Sequence, residues 1–185
     1  MPQNLPLLLT WLRILLIPLM ILFFYIEKPW APFMTALIFG LAGLTDWADG
    51  YLARKWQQES RFGAFLDPVA DKLIVAVAML LIVEREASFW FTMAAVIIIG
   101  REIVISALRE WMAQMGEHGK VAVAYIGKVK TTAQIIALIF LLYNQYLLGL
   151  PLRALGIIAL IIACVLTLLS MLQYLKAAYT SFRLA

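Results

Sequence analysis

The chain has 185 residues, is 64% hydrophobic and carries a formal net charge of +4, with a mean hydropathy of +0.92. Soluble domains run near half apolar, so this composition argues against a water-soluble fold. The length allows a single domain over residues 1–185, or in a bilayer about six or seven spans of ~20 residues with short loops. The basic residues are dispersed among apolar stretches, which argues against nucleic acid as a partner. The lone cysteine, Cys164, excludes an internal disulfide framework and reads as a packed or lipid-facing thiol.

Six apolar segments follow in chain order, at residues 7–26, 33–54, 62–83, 89–112, 121–148 and 152–177. Helices and closed barrels alone satisfy backbone polar groups in lipid, and the alternation a barrel needs is absent. The sequence therefore predicts an all-α polytopic membrane protein with six transmembrane helices. The N-terminus lacks the basic n-region and cleavage site of a signal peptide, so the first segment is expected to be retained as a span. Glu27-Lys28-Pro29 is expected to end the first helix. Gln57–Ser60 forms a polar turn, Gly116–Gly119 a break, and Gly149-Leu150-Pro151 another. With six helices, one side receives Lys55, Arg61, Lys120, Lys128, Lys130 and Arg183, and the other only Lys28, Arg85 and Arg153. The positive-inside rule then puts both termini and the 57–60 turn in the cytoplasm. The tryptophans fall mostly near span ends and read as an interfacial belt. Gly40 and Gly43 read as points of close helix packing.

Four aspartates interrupt this apolar pattern. A carboxylate in hydrocarbon costs roughly 2.5–3.5 kcal/mol on insertion scales, and four together would repel one another, so something positive must gather them. Asp46 and Asp49 share one helix face, as do Asp67 and Asp71. On a continuous helix Asp46 and Asp71 would lie about 37 Å apart. The turn at 57–60 instead folds the two faces against each other. Asp67-Pro68 is expected in an early turn of the third helix, where the missing N–H costs little. Opposed carboxylates suit Mg²⁺ or Mn²⁺, and four can hold two ions roughly 3.5–4 Å apart, an arrangement used in phosphoryl displacement. Gly50 and Gly63 would let a bulky ligand approach the backbone, and Arg54 suits bidentate phosphate contact. Ordinary helix-end aspartates paired with Arg54, Arg61 and Lys72 are the plainer alternative. A divalent-cation transporter is a further one, disfavoured because the acids lie near one membrane face with arginines beside them.

The pattern D-x2-D-G-x2-A-R-x8-G-x3-D-x3-D runs without a departure from Asp46 to Asp71. It resembles the signature of the CDP-alcohol phosphotransferases, and the six-helix reading resembles that family along nearly the whole chain. The resemblance implies transfer of a substituted phosphoryl group from a CDP-linked donor to an alcohol, with release of CMP. It implies that Asp46, Asp49 and Asp67 bind two metal ions, and that Asp71 completes the metal site and acts as general base. Gly50, Ala53, Arg54 and Gly63 would line the cytidine diphosphate site. Family members also suggest a homodimer.

The signature does not choose the alcohol. Arg101 and Arg109 fall within about 80° of one helix face, and Gly127-Lys128-Val129-Lys130-Thr131-Thr132 opens the fifth helix. Cations from two helices beside a helix N-terminus make a phosphate site, so Arg101, Arg109, Lys128 and Lys130 are the candidate acceptor ligands. Each has a plainer reading: the arginines could pair with Glu102 or Glu110, and the lysines could be interfacial. Arg13 reads as an interfacial anchor, Lys72 as local charge balance and His118 as solvated. These two segments, and the opening Asn4-Leu5-Pro6 through Leu9-Thr10-Trp11-Leu12-Arg13, are similar to the bacterial branch of the family that makes phosphatidylglycerol phosphate. That similarity implies CDP-diacylglycerol as donor, glycerol 3-phosphate as acceptor, and a bacterial inner-membrane enzyme facing the cytoplasm. Siblings using inositol phosphate or serine stay open.

Overall fold

Each apolar segment winds into a helix. The computed structural model describes residues 5–56, 61–114 and 125–184. In these, α1 spans Leu5–Phe24, α2 Ala31–Trp56, α3 Arg61–Glu86, α4 Phe89–Gln114, α5 Tyr125–Tyr143 and α6 Leu152–Leu184. A two-residue antiparallel ribbon, β1 Tyr146–Leu147 and β2 Leu150–Pro151, joins α5 to α6.

Several details differ from the sequence expectation, among them that α6 runs on to Leu184 rather than 177. The fifth helix stops at Tyr143 rather than 148, because Asn144 turns left-handed at φ 52° and Leu148 and Gly149 follow with positive φ. The first helix stops at Phe24, before the Glu27-Lys28-Pro29 break. Pro68 does not sit in the opening turn of α3, which begins at Arg61. It lies inside the helix and removes a bond that its N–H would have made to the carbonyl four residues earlier.

Neighbouring contacts close the helices into a ring, in the order α1–α2–α5–α6–α4–α3 and back to α1, with α3 also touching α2 and α5 across the middle. Sequential pairs α1–α2, α3–α4 and α5–α6 are therefore three hairpins whose turns share one end. The candidate site residues lie from the middle of the helices toward the opposite end, with Arg101 midway along α4 and Asp71 ten residues into α3.

The bundle has an apolar core, yet it also buries polar groups and exposes large apolar ones. Thr10, Arg13, Thr35, Lys130, Gln134, Thr167 and Ser170 are buried, whereas Leu8, Leu15, Leu22, Trp90, Ile103 and Leu172 are exposed. On α1 the inward stripe is Thr10, Arg13, Ile17 and Met20, at helical spacing. On α6 the inward stripe includes Gly156, Leu160, Ala163, Thr167 and Ser170. A Cβ on Gly156 would come within 2.9 Å of Leu141, so α5 and α6 approach closely through a small residue. Gly40 and Gly43 do not play that part. A Cβ on Gly43 would meet nothing within 4 Å, and both glycines border an apolar groove of about 580 Å³ between α2 and α5. Among the described residues, two helical stretches, Phe89–Met112 and Leu152–Lys176, are long and apolar enough to cross a membrane.

Candidate active site

Two polar centres lie at the end of the bundle opposite the hairpin turns. The first is acidic. Asp67 and Asp71 are one turn apart on α3, and α1 packs against that helix. Thr10 Oγ1 donates to Asp67 Oδ1. Arg13 Nη1 donates to Asp71 Oδ1 at 2.5 Å, with the arginine side chain 1% exposed and the aspartate 42%. A guanidinium sunk into the bundle thus fixes a carboxylate that still reaches solvent.

Arg13 is the residue that the sequence undervalued. As an interfacial anchor it would point outward, yet it is fully buried. The signal was present in the spacing: Thr10 and Arg13 stand three apart in an otherwise apolar helix, so they share a face with one another and with Ile17. Polar groups on one face of an apolar helix turn inward when the surroundings are lipid.

The second centre is cationic. Glu102 Oε1 accepts from Lys130 Nζ at 2.7 Å and from Arg101 Nη1 at 3.0 Å. Arg101 Nη2 also donates to Ser170 Oγ at 3.3 Å, and its guanidinium carbon lies 5.5 Å from the centre of the Tyr174 ring. Helices α4, α5 and α6 therefore meet through Arg101, Lys130 and Ser170. The pairing of Arg101 with Glu102, weighed from sequence as the plainer role, is present, and Lys130 joins it.

A third contact joins α3 to α4. Lys72, next to Asp71 in the chain, donates from Nζ to Ser106 Oγ. Ser106 stands one turn beyond Glu102 on α4. Lys72 and Glu102 also line one groove of about 520 Å³ between α3 and α4, with Phe65, Pro68, Val69 and Ile103.

The remaining candidates are placed by backbone alone. Asp46, Asp49, Gly50, Ala53 and Arg54 lie in the last half of α2, Arg109 in α4 and Lys128 in α5; their side chains lie outside the described residues. Gly63 is buried near the start of α3. The 57–60 turn and the 116–119 break, with His118, also lie outside the described residues. Among the described residues no group of three or more His, Cys, Asp or Glu gathers. Asp67 and Asp71 offer oxygen donors alone, the chemistry that suits a hard divalent cation.

Residues 3–169 match the family model for CDP-alcohol phosphatidyltransferases. The chain belongs to this family. Members are transferases, generally dependent on divalent metal. The chain is 55% identical over 178 residues to the CDP-diacylglycerol–glycerol-3-phosphate 3-phosphatidyltransferase of Shigella flexneri serotype 5b, covering 96% of each protein. It is equally similar, 55% over 96% of each, to the enzyme of the same name from Escherichia coli K12.

Proposed function

We propose that this protein transfers the phosphatidyl group of CDP-diacylglycerol to a hydroxyl of glycerol 3-phosphate, giving phosphatidylglycerol phosphate and CMP. The observation that carries the reading is an acidic centre on α3 and a cationic centre on α4 in one bundle, with Lys72 and Glu102 lining the groove between those helices. One centre suits a metal-bridged diphosphate and the other a phosphomonoester. The high identity to relatives named for this reaction supports the same assignment.

In this reading the acceptor hydroxyl attacks the phosphorus that carries diacylglycerol. The bond from that phosphorus to the bridging oxygen breaks, CMP leaves with the electron pair, and Asp71 takes the hydroxyl proton. Arg13 holds the Asp71 carboxylate in one orientation, which positions a base within reach of the proton. Thr10 does the same for Asp67. Asp46, Asp49, Asp67 and Asp71 would hold Mg²⁺ or Mn²⁺, as two ions, and the metal would supply positive charge to the diphosphate and the leaving group. Gly50, Ala53, Arg54 and Gly63 line the donor's nucleotide. Arg101, Arg109, Lys128 and Lys130 receive the acceptor's phosphate.

The same reading makes residues 1–185 one membrane domain of six spans, with the site and both termini on the cytoplasmic face of a bacterial inner membrane, working as a homodimer. The many exposed large apolar side chains support lipid around the bundle, and the surplus of Lys and Arg at the site end supports the orientation. There a water-soluble acceptor and a lipid-anchored donor can meet. The deciding measurement is CMP release by purified protein given CDP-diacylglycerol, Mg²⁺ or Mn²⁺, and a panel of alcohols. Turnover with glycerol 3-phosphate is expected. Turnover with serine or inositol phosphate and none with glycerol 3-phosphate would reject the acceptor.

A further inference from the structure

Glu102 sits where two buried cations meet. The Arg101 side chain is 8% exposed, that of Lys130 4%, and Glu102 itself 25%. Two positive charges facing each other at that depth, with no anion between them, would be costly. A carboxylate supplied by the fold removes the cost while no ligand is bound. It also stands in the place an anionic ligand would need.

An acceptor phosphate near neutral pH is mostly a dianion. That dianion and the Glu102 carboxylate would need the same donors on Arg101 and Lys130, and like-charge repulsion between the two anions would press the carboxylate outward. Two features give it a place to go. Glu102 lines the groove between α3 and α4, and Lys72 lines the same groove. Lys72 is held at Ser106, one helical turn along from Glu102. The cationic centre also keeps polar atoms with no partner among the described residues, Arg101 Nε, Gln134 Oε1 and Thr167 Oγ1. Gln134 is one turn from Lys130 on α5 and 4% exposed. The register that seats Gly156 against Leu141 brings Thr167 level with Lys130. Buried groups left unpaired in this way call for a ligand or a rearrangement.

We propose that Glu102 is a built-in competitor for the acceptor's phosphate. It holds Arg101 and Lys130 while the site is empty, yields them to a phosphomonoester, and turns to Lys72 across the groove. The consequence is a selection by charge. A dianion displaces the carboxylate; a neutral alcohol or a single carboxylate does not, so acceptors without phosphate are refused by a group of the enzyme itself. The proposal rests on the reading of Arg101 and Lys130 as acceptor-phosphate ligands.

Glu102→Gln keeps the size and removes the competing charge. The KM for glycerol 3-phosphate should fall about tenfold, the effect of roughly one charge-assisted hydrogen bond. The KM for CDP-diacylglycerol should not move. In donor-free protein, the inorganic phosphate concentration giving half-maximal protection against thermal unfolding should fall by a similar factor. A glycerol 3-phosphate KM that rises or stays constant would overturn the competitor role. If the Gln variant does not fold, Glu102→Asp, with a shorter reach to both cations, should lower the same KM by a smaller factor; an unchanged or higher value counts against the proposal. Lys130→Met separates the two levels. If it leaves both the acceptor KM and phosphate protection unchanged, the acceptor-site reading fails. If it raises that KM while Glu102→Gln does not lower it, the acceptor site stands and the competitor fails.

Discussion

The two ends of the bundle both carry charged residues, but they use them differently. At the hairpin-turn end the charges tie hairpins together. Tyr25 of the first hairpin donates to Glu84 of the second at 2.5 Å. Arg153 of the third pairs with Glu86 of the second at 2.6 Å, with its side chain 51% exposed. Arg85 donates to the carbonyls of Leu141 and Leu142 near the end of α5 and lies over the Phe24 ring. Gln145 reaches back to the Pro29 carbonyl at 3.5 Å. At the opposite end Arg13, Arg101 and Lys130 are buried and paired with carboxylates that are themselves more exposed. A structural charge caps a helix or closes a rim. A buried cation facing a partly open carboxylate is a different investment, since it gains little stability for its desolvation. The contrast agrees with the proposed site at the second end.

Substitutions at the two ends should therefore fail in different ways. Asp71→Asn should reduce CMP release by well over ~100-fold, the range of general-base contributions, while far-UV circular dichroism and melting temperature hold; an active variant would remove Asp71 from the base role. Arg13→Ala comes next. Loss of a charge-assisted bond worth ~1.5–3 kcal/mol should lower kcat by roughly 10–100-fold, and Arg13→Lys should recover part of it. A fall in stability with kcat intact would make Arg13 a structural residue and blur the contrast. Arg85→Ala should do the reverse, lowering thermal stability by about 1–2 kcal/mol through the uncapped α5 carbonyls while kcat and both KM values hold at a permissive temperature. The smallest effect belongs to Tyr25. Its hydrogen bond to Glu84 raises the phenol above its ordinary value of 10.0. The contact therefore contributes fully below pH 10 and is lost as pH climbs through the raised value. Melting temperature should decline more steeply above pH 10 in the parent protein than in Tyr25→Phe.

Much of this was legible in the sequence, because lipid leaves a chain few choices. Six apolar segments, each broken by proline, glycine or a polar turn, became six helices. The spacing of Asp67 and Asp71 gave their shared face. The ring order of the helices was not legible, since neighbours are chosen by the fit of apolar faces that look alike in one dimension. The end of α5 was misjudged because Asn144 takes a left-handed backbone inside a stretch that stays largely apolar through Leu148. Arg13 was misjudged because an arginine near a helix end is ordinarily interfacial. Only its spacing from Thr10 revealed the stripe. Glu102 was seen merely as a neutralising neighbour of Arg101, as nothing in a linear pattern places Lys130 beside it.

The three hairpins have a consequence for how the protein is made. Their turns all lie at one end, so in the proposed orientation each hairpin can enter the bilayer as a unit with its turn leading. Of the charged residues, only Glu27, Lys28, Glu84, Arg85, Glu86 and Arg153 then have to cross. The aspartates, Arg13, Arg101 and Lys130 stay on the side of synthesis throughout, and the expensive charges of the site never make the passage.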